Sequence, residues 1–238
     1  LAAGPDAPIT VGVKFELWRN LTATQEAQAI GATAAGYNSR RVTGVWMDAP
    51  TIGGVACPMY FAAAKVACLA SGVLPHQGLT HVEVLGIASA TRSRRFGKSQ
   101  LDTMAAAGVW IVTTDATGKV FNRHAVTTGD TDVIEDREEM IVRNFDSVSY
   151  RFKDQFDPYI GVCNVTPTVQ ARIEQDVKKL FLTLQTEGAT ADLGPQIIAL
   201  DIVQLTPDPN DSAAYLLAVD VTLPAPLNNL KITLNLII

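Results

Sequence analysis

Two stretches in the second half of the chain place apolar residues at helical spacing. Ile141, Phe145, Val148, Phe152 and Phe156 step by four, three, four and four, and Val169, Ile173, Val177, Leu180 and Leu184 follow the same rule. Such spacing lines one face of a helix, so two amphipathic helices are predicted, one carrying 141–156 and one from Pro167 towards Gly188. Thr166 is the expected N-cap, Pro167 fits the first helical position, and Gly188 supplies the stop. Both stripes need an apolar partner. Three β-prone runs downstream, 197–205, 215–223 and 230–238, are expected to provide it, the first two joined by the turn-rich residues 206–213.

The first half is less periodic. Val11, Val13, Phe15 and Leu17 alternate with Gly12, Lys14 and Glu16, a strand pattern. Residues 22–37 favour a helix, with Thr22 or Thr24 as N-cap and Glu26 in the first turn, where the dipole favours an anion. A strand is expected over 41–47 and a loop over 48–58, which holds Gly53, Gly54 and two prolines. A buried helix over 59–71, closed by Gly72, and a third strand over 81–87 complete this half. The polar run 91–99 marks the expected boundary between two domains, 1–95 and 96–238. Beyond it, an Ala-rich helix ends at Gly108, a buried run spans 109–113, a turn covers 115–118 and a second extended run covers 119–126. No internal repeat occurs. This order predicts an α+β fold: a mixed sheet with amphipathic helices packed on one face, preceded by a smaller α/β segment.

With 238 residues, 47% hydrophobic and 18% charged, the chain can build one large core or two small ones. Its net charge of −5 argues against nucleic-acid binding, which needs clustered cations. Cys57, Cys68 and Cys163 are odd in number and far apart, which favours free thiols in a reducing compartment. No run has the length of a membrane-spanning helix, so no direct membrane insertion is expected. The N-terminus lacks the charged start of a signal peptide. The chain starts at Leu1 rather than Met, from which a longer parent protein is expected.

No reactive constellation stands out. His76 and His81, with Cys57 and Cys68 upstream, lack the closely spaced pairs of a structural zinc site, so loop histidines and small core thiols are favoured. Residues 51–54 (TIGG) match neither phosphate-binding glycine pattern and read as a turn. The acidic run of Asp130, Asp132, Glu135, Asp136, Glu138 and Glu139 does not fit the EF-hand pattern and is assigned to capping and dipole compensation. There is no G-x-S-x-G elbow, and His124 has no nearby Ser or Cys partner. No catalytic residue, metal or cofactor is therefore expected.

Two features remain. Arg92, Arg94, Arg95 and Lys98 form the compact basic patch, read either as a solvated loop or as a contact with an acidic partner surface. Leu230, Ile232, Leu234, Leu236 and Ile238 share one face of the last β-prone run, read as an ordinary sheet strand or as a strand added to another subunit.

The segment SQLDTMAAAGVWIVTTDATGKVFNRHAVTTG, with its AAAGV helix end and TT pair, resembles tail sheath proteins of contractile bacteriophages. EMIVRNFDSVSYRFKDQF resembles the long helix of that family, and IGVCNVTPTVQARIEQDVKKLFLTLQTEG is similar to its next block. MYFAAAKVACLASGVLPHQGLTHVEV resembles its loop-to-helix region, in matching order. The resemblance implies that residues 96–238 are the C-terminal sheath domain and 1–95 part of the domain before it. It further implies a structural subunit, not an enzyme, assembled in a host cytoplasm and carried on the virion. The subunit would polymerise around a tail tube and contract to drive it through the host envelope. Implied partners are other sheath copies, the tube protein and the baseplate, without nucleic acid. Terminal arms of that family add strands to a neighbour's sheet. This chain by itself is expected to be monomeric, its last strand folding back beside 215–223. The residues alone leave two rivals open: a non-polymerising adaptor that binds by strand addition, and an enzyme whose site is assembled from distant residues.

Overall fold

The computed structural model describes residues 21–89 and 96–228. Its elements form two compact units. One takes the described residues up to Ser71 together with Thr80–Arg137; the other takes Gly72–Leu79 and the described residues from Glu138 onward. By compactness the chain thus divides at Arg137, whereas the polar run places the domain boundary at 95. The architecture is α+β, with mixed and antiparallel sheets.

The first unit begins with α1 (Ala23–Ala35), opened by Thr22. Thr22 accepts from the Gln25 amide while the Gln25 side chain accepts from the Thr22 amide, a reciprocal cap that satisfies two end groups. Strand β1 (Gly44–Met47) follows and pairs in parallel with β5 (Val109–Thr114), Gly44 opposite Val109 and Met47 opposite Val112. Strand β6 (Val120–His124) runs antiparallel to β5, with a register shift at Ile111/Val112. This mixed sheet of three strands, ordered β1-β5-β6, is the centre of the unit.

Helix α3 (Lys98–Ala106) packs against α1 and β5. Ala27, Ala34, Trp46, Phe96, Leu101, Met104, Val109 and Ile111 form the shared core, with the Trp46 and Phe96 rings 5.1 Å apart. The helices meet closely because Gly31 has no side chain: a Cβ there would lie 2.9 Å from the Ala107 Cβ. After α3, Gly108 turns the chain into β5 at φ +82, a conformation that glycine adopts freely. Trp110, buried in β5, donates through Nε1 to Asn122 Oδ1 at 3.0 Å, so its indole polar group is satisfied in the core.

Three expectations for this unit are corrected. The loop over 48–58 is a hairpin of β2 (Pro50–Ile52) and β3 (Val55–Ala56), turned at Gly53 and Gly54, both with positive φ. The strand over 81–87 does not form: His81 sits at φ +61, and only 81–84 runs beside β6, through the bridge of Glu83 to Phe121 and backbone bonds to Val120 and Asn122. A regular strand there is restricted to β4 (Ala88–Ser89), on the other edge of β2. Helix α2 (Tyr60–Ser71), expected to be buried, packs on β1 but buries only Ala62 and Val66.

A short helix, α4 (Ile134–Arg137), closes the first unit. The second unit is built on α5 (Glu139–Phe156) and α6 (Pro167–Thr186), joined through a 3₁₀ turn at Asp157–Tyr159. Thr166 caps α6 by accepting from the Val169 amide. The stripes face inward: Val148, Leu180, Leu184 and Ile197 form a core, flanked by Phe152, Phe181, Leu200, Val221 and Leu223. Phe145 departs from its stripe and is exposed. Strands β7 (Ala199–Pro207) and β8 (Tyr215–Thr222) form an antiparallel ribbon, with β7 against α6. Among the described residues, the one sheet shared by all the strands that the element order suggested is not formed. Strands β5 and β6 pair with β1, and β7 pairs with β8. The residues 230–238 lie outside the described residues, as does the strand predicted over 11–18.

Candidate assembly surfaces

The residues singled out by sequence fall into separate environments. Of the basic patch, Arg92, Arg94 and Arg95 lie outside the described residues. Lys98 opens α3 and pairs with Asp102, one turn on, at 2.8 Å. Asp102 also accepts from Arg123 on β6. The Lys98 hydrogen bond leads in holding the Asp102 carboxyl below its usual range, with the Arg123 charge adding to it. Lys98 therefore belongs to a three-residue ion network linking α3 to β6. Its own side chain is 85% exposed, so the pair contributes little to stability.

The acidic run is not one surface. Asp130 accepts from the Asp132 amide at 3.0 Å in a tight turn, and Asp136 pairs with Arg40 at 3.5 Å. Glu138, the residue before α5, is buried and accepts from Asn228 Nδ2 at 2.9 Å. Glu139 is mostly buried, with the Arg143 Nε 3.0 Å from its Oε1. Burial pushes the Glu139 carboxyl upward against the pull of Arg143, and burial likewise lowers Arg143. Dipole compensation accounts for Glu135 and Asp136, in the first turn of α4. Glu139 stands in the first turn of α5, where the dipole favours an anion, and both it and Glu138 pack inside the second unit.

His76 is 3% exposed, with the backbone of Gly194 and Gly188 as polar neighbours but no hydrogen bond of good geometry to either ring nitrogen. Its Cε1 lies 3.6 Å from the position a Cβ would take at Gly188. Burial is the main influence and lowers its pKa; the backbone at Gly194 and Gly188 acts the other way, and the Arg143 charge adds to the lowering. His81 stacks on Phe121, with ring centroids 5.6 Å apart. Cys57, Cys68 and Cys163 are free thiols. Among the described residues no group of His, Cys, Asp or Glu has the geometry of a metal site.

A cleft opens among the described residues of each unit. In the first, a space of about 730 Å³ is lined by Trp46, Asp48, Ser89, Thr113, Asp115 and Thr117, among others. Asp115 is committed to its turn: its Oδ1 accepts from Thr117 N at 2.8 Å, Thr117 Oγ1 at 2.7 Å and Lys119 N at 3.0 Å. In the second, about 450 Å³ opens between the 3₁₀ turn, the start of α6 and the β7–β8 ribbon, lined by Phe156, Tyr159, Ile160, Val169, Leu205 and Tyr215 among others. Tyr159 donates to Asp176, and the Arg172 guanidinium lies 5.1 Å from its ring centre. The lining is largely apolar, with Lys153, Asp157, Cys163 and Asn164 among its polar members.

The ribbon is a further surface feature that composition did not reveal. Among the described residues β7 and β8 pair only with each other, and Val203 and Leu216 are exposed. A two-stranded sheet leaves outward N–H and C=O groups on both edges, a template for an added strand. Helix α6 answers part of this need: Gln170 Nε2 donates to the Leu205 carbonyl at 2.8 Å, and Gln185 Nε2 to the Ile198 carbonyl at 3.2 Å.

Solved structures of similar fold are sheath and baseplate chains. A chain of the anti-feeding prophage baseplate matches with a TM-score of 0.64 at 14% identity, over 90% of this chain and 66% of that one. A chain of the anti-feeding prophage helical sheath, in its contracted state, matches at 0.60 and 15% identity, over 83% and 56%. A sheath tail protein from Desulfitobacterium hafniense matches at 0.56 and 13% identity, over 80% and 47%. The chain thus spans between about half and two thirds of the length of these structures. No family model and no curated protein sequence matches it. The resemblance read along the sequence holds at the level of fold: this is the architecture of tail sheath proteins.

Proposed function

We propose that this chain is part of a structural subunit of a contractile tail sheath. The subunit polymerises around a tube, and contraction of the sleeve drives the tube through a host envelope. The observation that carries this reading is the match of 80–90% of the chain to sheath and baseplate chains of such machines. Two further features support it. The β7–β8 ribbon offers edges on which an arm from another copy can add a strand. A head-to-tail contact of that kind repeats without closing, which is what a filament requires.

On this reading the partners are other copies of the same protein, the tube protein and the baseplate. Leu230, Ile232, Leu234, Leu236 and Ile238 form the donor strand, and Arg92, Arg94, Arg95 and Lys98 form an electrostatic contact with the tube or a neighbour. The protein is assembled in the host cytoplasm and carried on the tail, and it works without a cofactor or catalytic step. Ultracentrifugation of the intact gene product tests the proposal: most of it should pellet as large polymers at micromolar concentration. Pelleting that is absent under every salt and crowding condition would refute it. The 238-residue chain by itself should remain in the supernatant as a 25.5 kDa monomer.

A further inference from the structure

The segment Gly72–Leu79 leaves the first unit, docks on the second and returns, so the chain passes between the units at Ser71/Gly72, Leu79/Thr80 and Arg137/Glu138. Its grip on the second unit is small. His76 and Leu79 are its buried side chains, and the Gln77 carbonyl accepts from Arg143 Nη2 at 2.8 Å. Gly188, at φ +71 just past α6, makes room for the segment: a Cβ there would lie 3.1 Å from Leu74 Cδ1 and 3.6 Å from His76 Cε1. Gly72 and Gly78 stand near its two ends, where backbone freedom allows a hinge.

The His76 ring is held by packing, since neither nitrogen has a hydrogen bond of good geometry. A second proton would put a charge into that buried place, which is costly without a compensating partner. The groups around it supply little compensation. From α5 comes Arg143, a like charge, whose guanidinium already faces the Glu139 carboxylate. From the end of α6 and the turn after it come the backbone of Gly188 and Gly194, which favour the proton. Glu187, beside Gly188, is paired with Arg151 at 2.9 Å, and Asp192 is exposed. The segment itself carries no carboxylate. Burial and Arg143 together outweigh the two backbone contacts, and the net effect disfavours the proton.

We propose that Gly72–Leu79 is an acid-released strap, docked while His76 is neutral and let go when the imidazole takes up its second proton in mildly acid solution. Release brings His76 into water, where the imidazolium is solvated, and opens the bond between Gln77 and Arg143. One passage of the chain, at Arg137/Glu138, then still joins the units. The core of Val148, Leu180, Leu184 and Ile197 stays folded, because none of its members belongs to the strap. The device is independent of polymerisation.

Hydrogen exchange of the full chain tests this, followed by peptide mass spectrometry and corrected for the intrinsic pH dependence of exchange. The opening constant of peptides covering 73–80 should rise by up to about tenfold from pH 7.5 to pH 5.5, the limit for one histidine that titrates normally once exposed. Peptides from 145–152 and 176–184 should keep theirs. A His76→Gln chain should lose the pH dependence of the strap, which separates His76 from His81 and His124. Opening that is unchanged by pH would overturn the inference. So would an equal rise in the 145–152 and 176–184 peptides, which means that the whole unit loosens, or a His76→Gln chain that keeps the pH dependence. The wild-type comparison decides alone where the variant does not fold. Each of these results leaves the sheath reading standing.

Discussion

Arg143, in the first half of α5, donates through Nη2 to the backbone carbonyl of Gln77 at 2.8 Å, across 66 residues of sequence. That bond ties the short segment Gly72–Leu79 into the second unit, while the chain on both sides of the segment belongs to the first. The same guanidinium faces the largely buried Glu139. One side chain thus anchors a segment and neutralises a buried carboxylate.

Replacing Arg143 with Ala should therefore cost about 3 kcal/mol or more, because Glu139 is left charged and buried without its partner. A double variant, Arg143→Met with Glu139→Leu, should recover much of the loss, since no lone charge remains. Urea unfolding of the three proteins measures both effects.

His76 gives a pH dependence with a definite sign. Its pKa in the folded chain lies below the ordinary value of 6.5, so the unfolded chain binds the proton more tightly. Its contribution to stability is complete above pH 6.5 and is lost as the pH falls through the lowered folded value. Melting temperatures between pH 7.5 and 5 should fall for the wild type and fall less for His76→Leu. Equal slopes would contradict this account.

Gly108 joins α3 to β5 where no other residue fits. A Cβ there would lie 2.5 Å from the Thr127 carbonyl oxygen, at a φ of +82. Gly108→Ala should cost about 2–4 kcal/mol through strain and steric displacement. Gly118, also at positive φ, has nothing within 4 Å of its Cβ position, so Gly118→Ala pays only the strain of about 1–2 kcal/mol.

The long helices were legible because their signals agree. The stripe from Ile141 to Phe156 lies wholly within α5, and Thr166 with Pro167 marked the start of α6. Short elements were not, because two or three residues give no period. The β2–β3 hairpin left one usable signal, the Gly53–Gly54 pair between β-branched Ile52 and Val55, which suits a two-residue turn with positive φ. The run 81–87 alternates well enough to suggest a strand, but His81 at φ +61 breaks it. Apolar composition suggested a buried α2; composition reports what a helix needs covered, not whether this chain covers it. The ribbon edges were invisible for a related reason, since pairing partners are set by tertiary structure.

The basic patch is testable through assembly alone. Arg94→Glu with Arg95→Glu should leave the melting temperature nearly unchanged and make polymerisation of the intact protein fail or become more sensitive to salt. Unaltered assembly would return the patch to a solvated loop.

Electron microscopy of the intact gene product tests the central claim most directly. The account predicts hollow helical sleeves, each repeat of which accommodates this fold and has a strand from a neighbouring copy on an edge of the β7–β8 ribbon. Dispersed single particles at every concentration, or polymers whose ribbon edges stay unpaired, would contradict it.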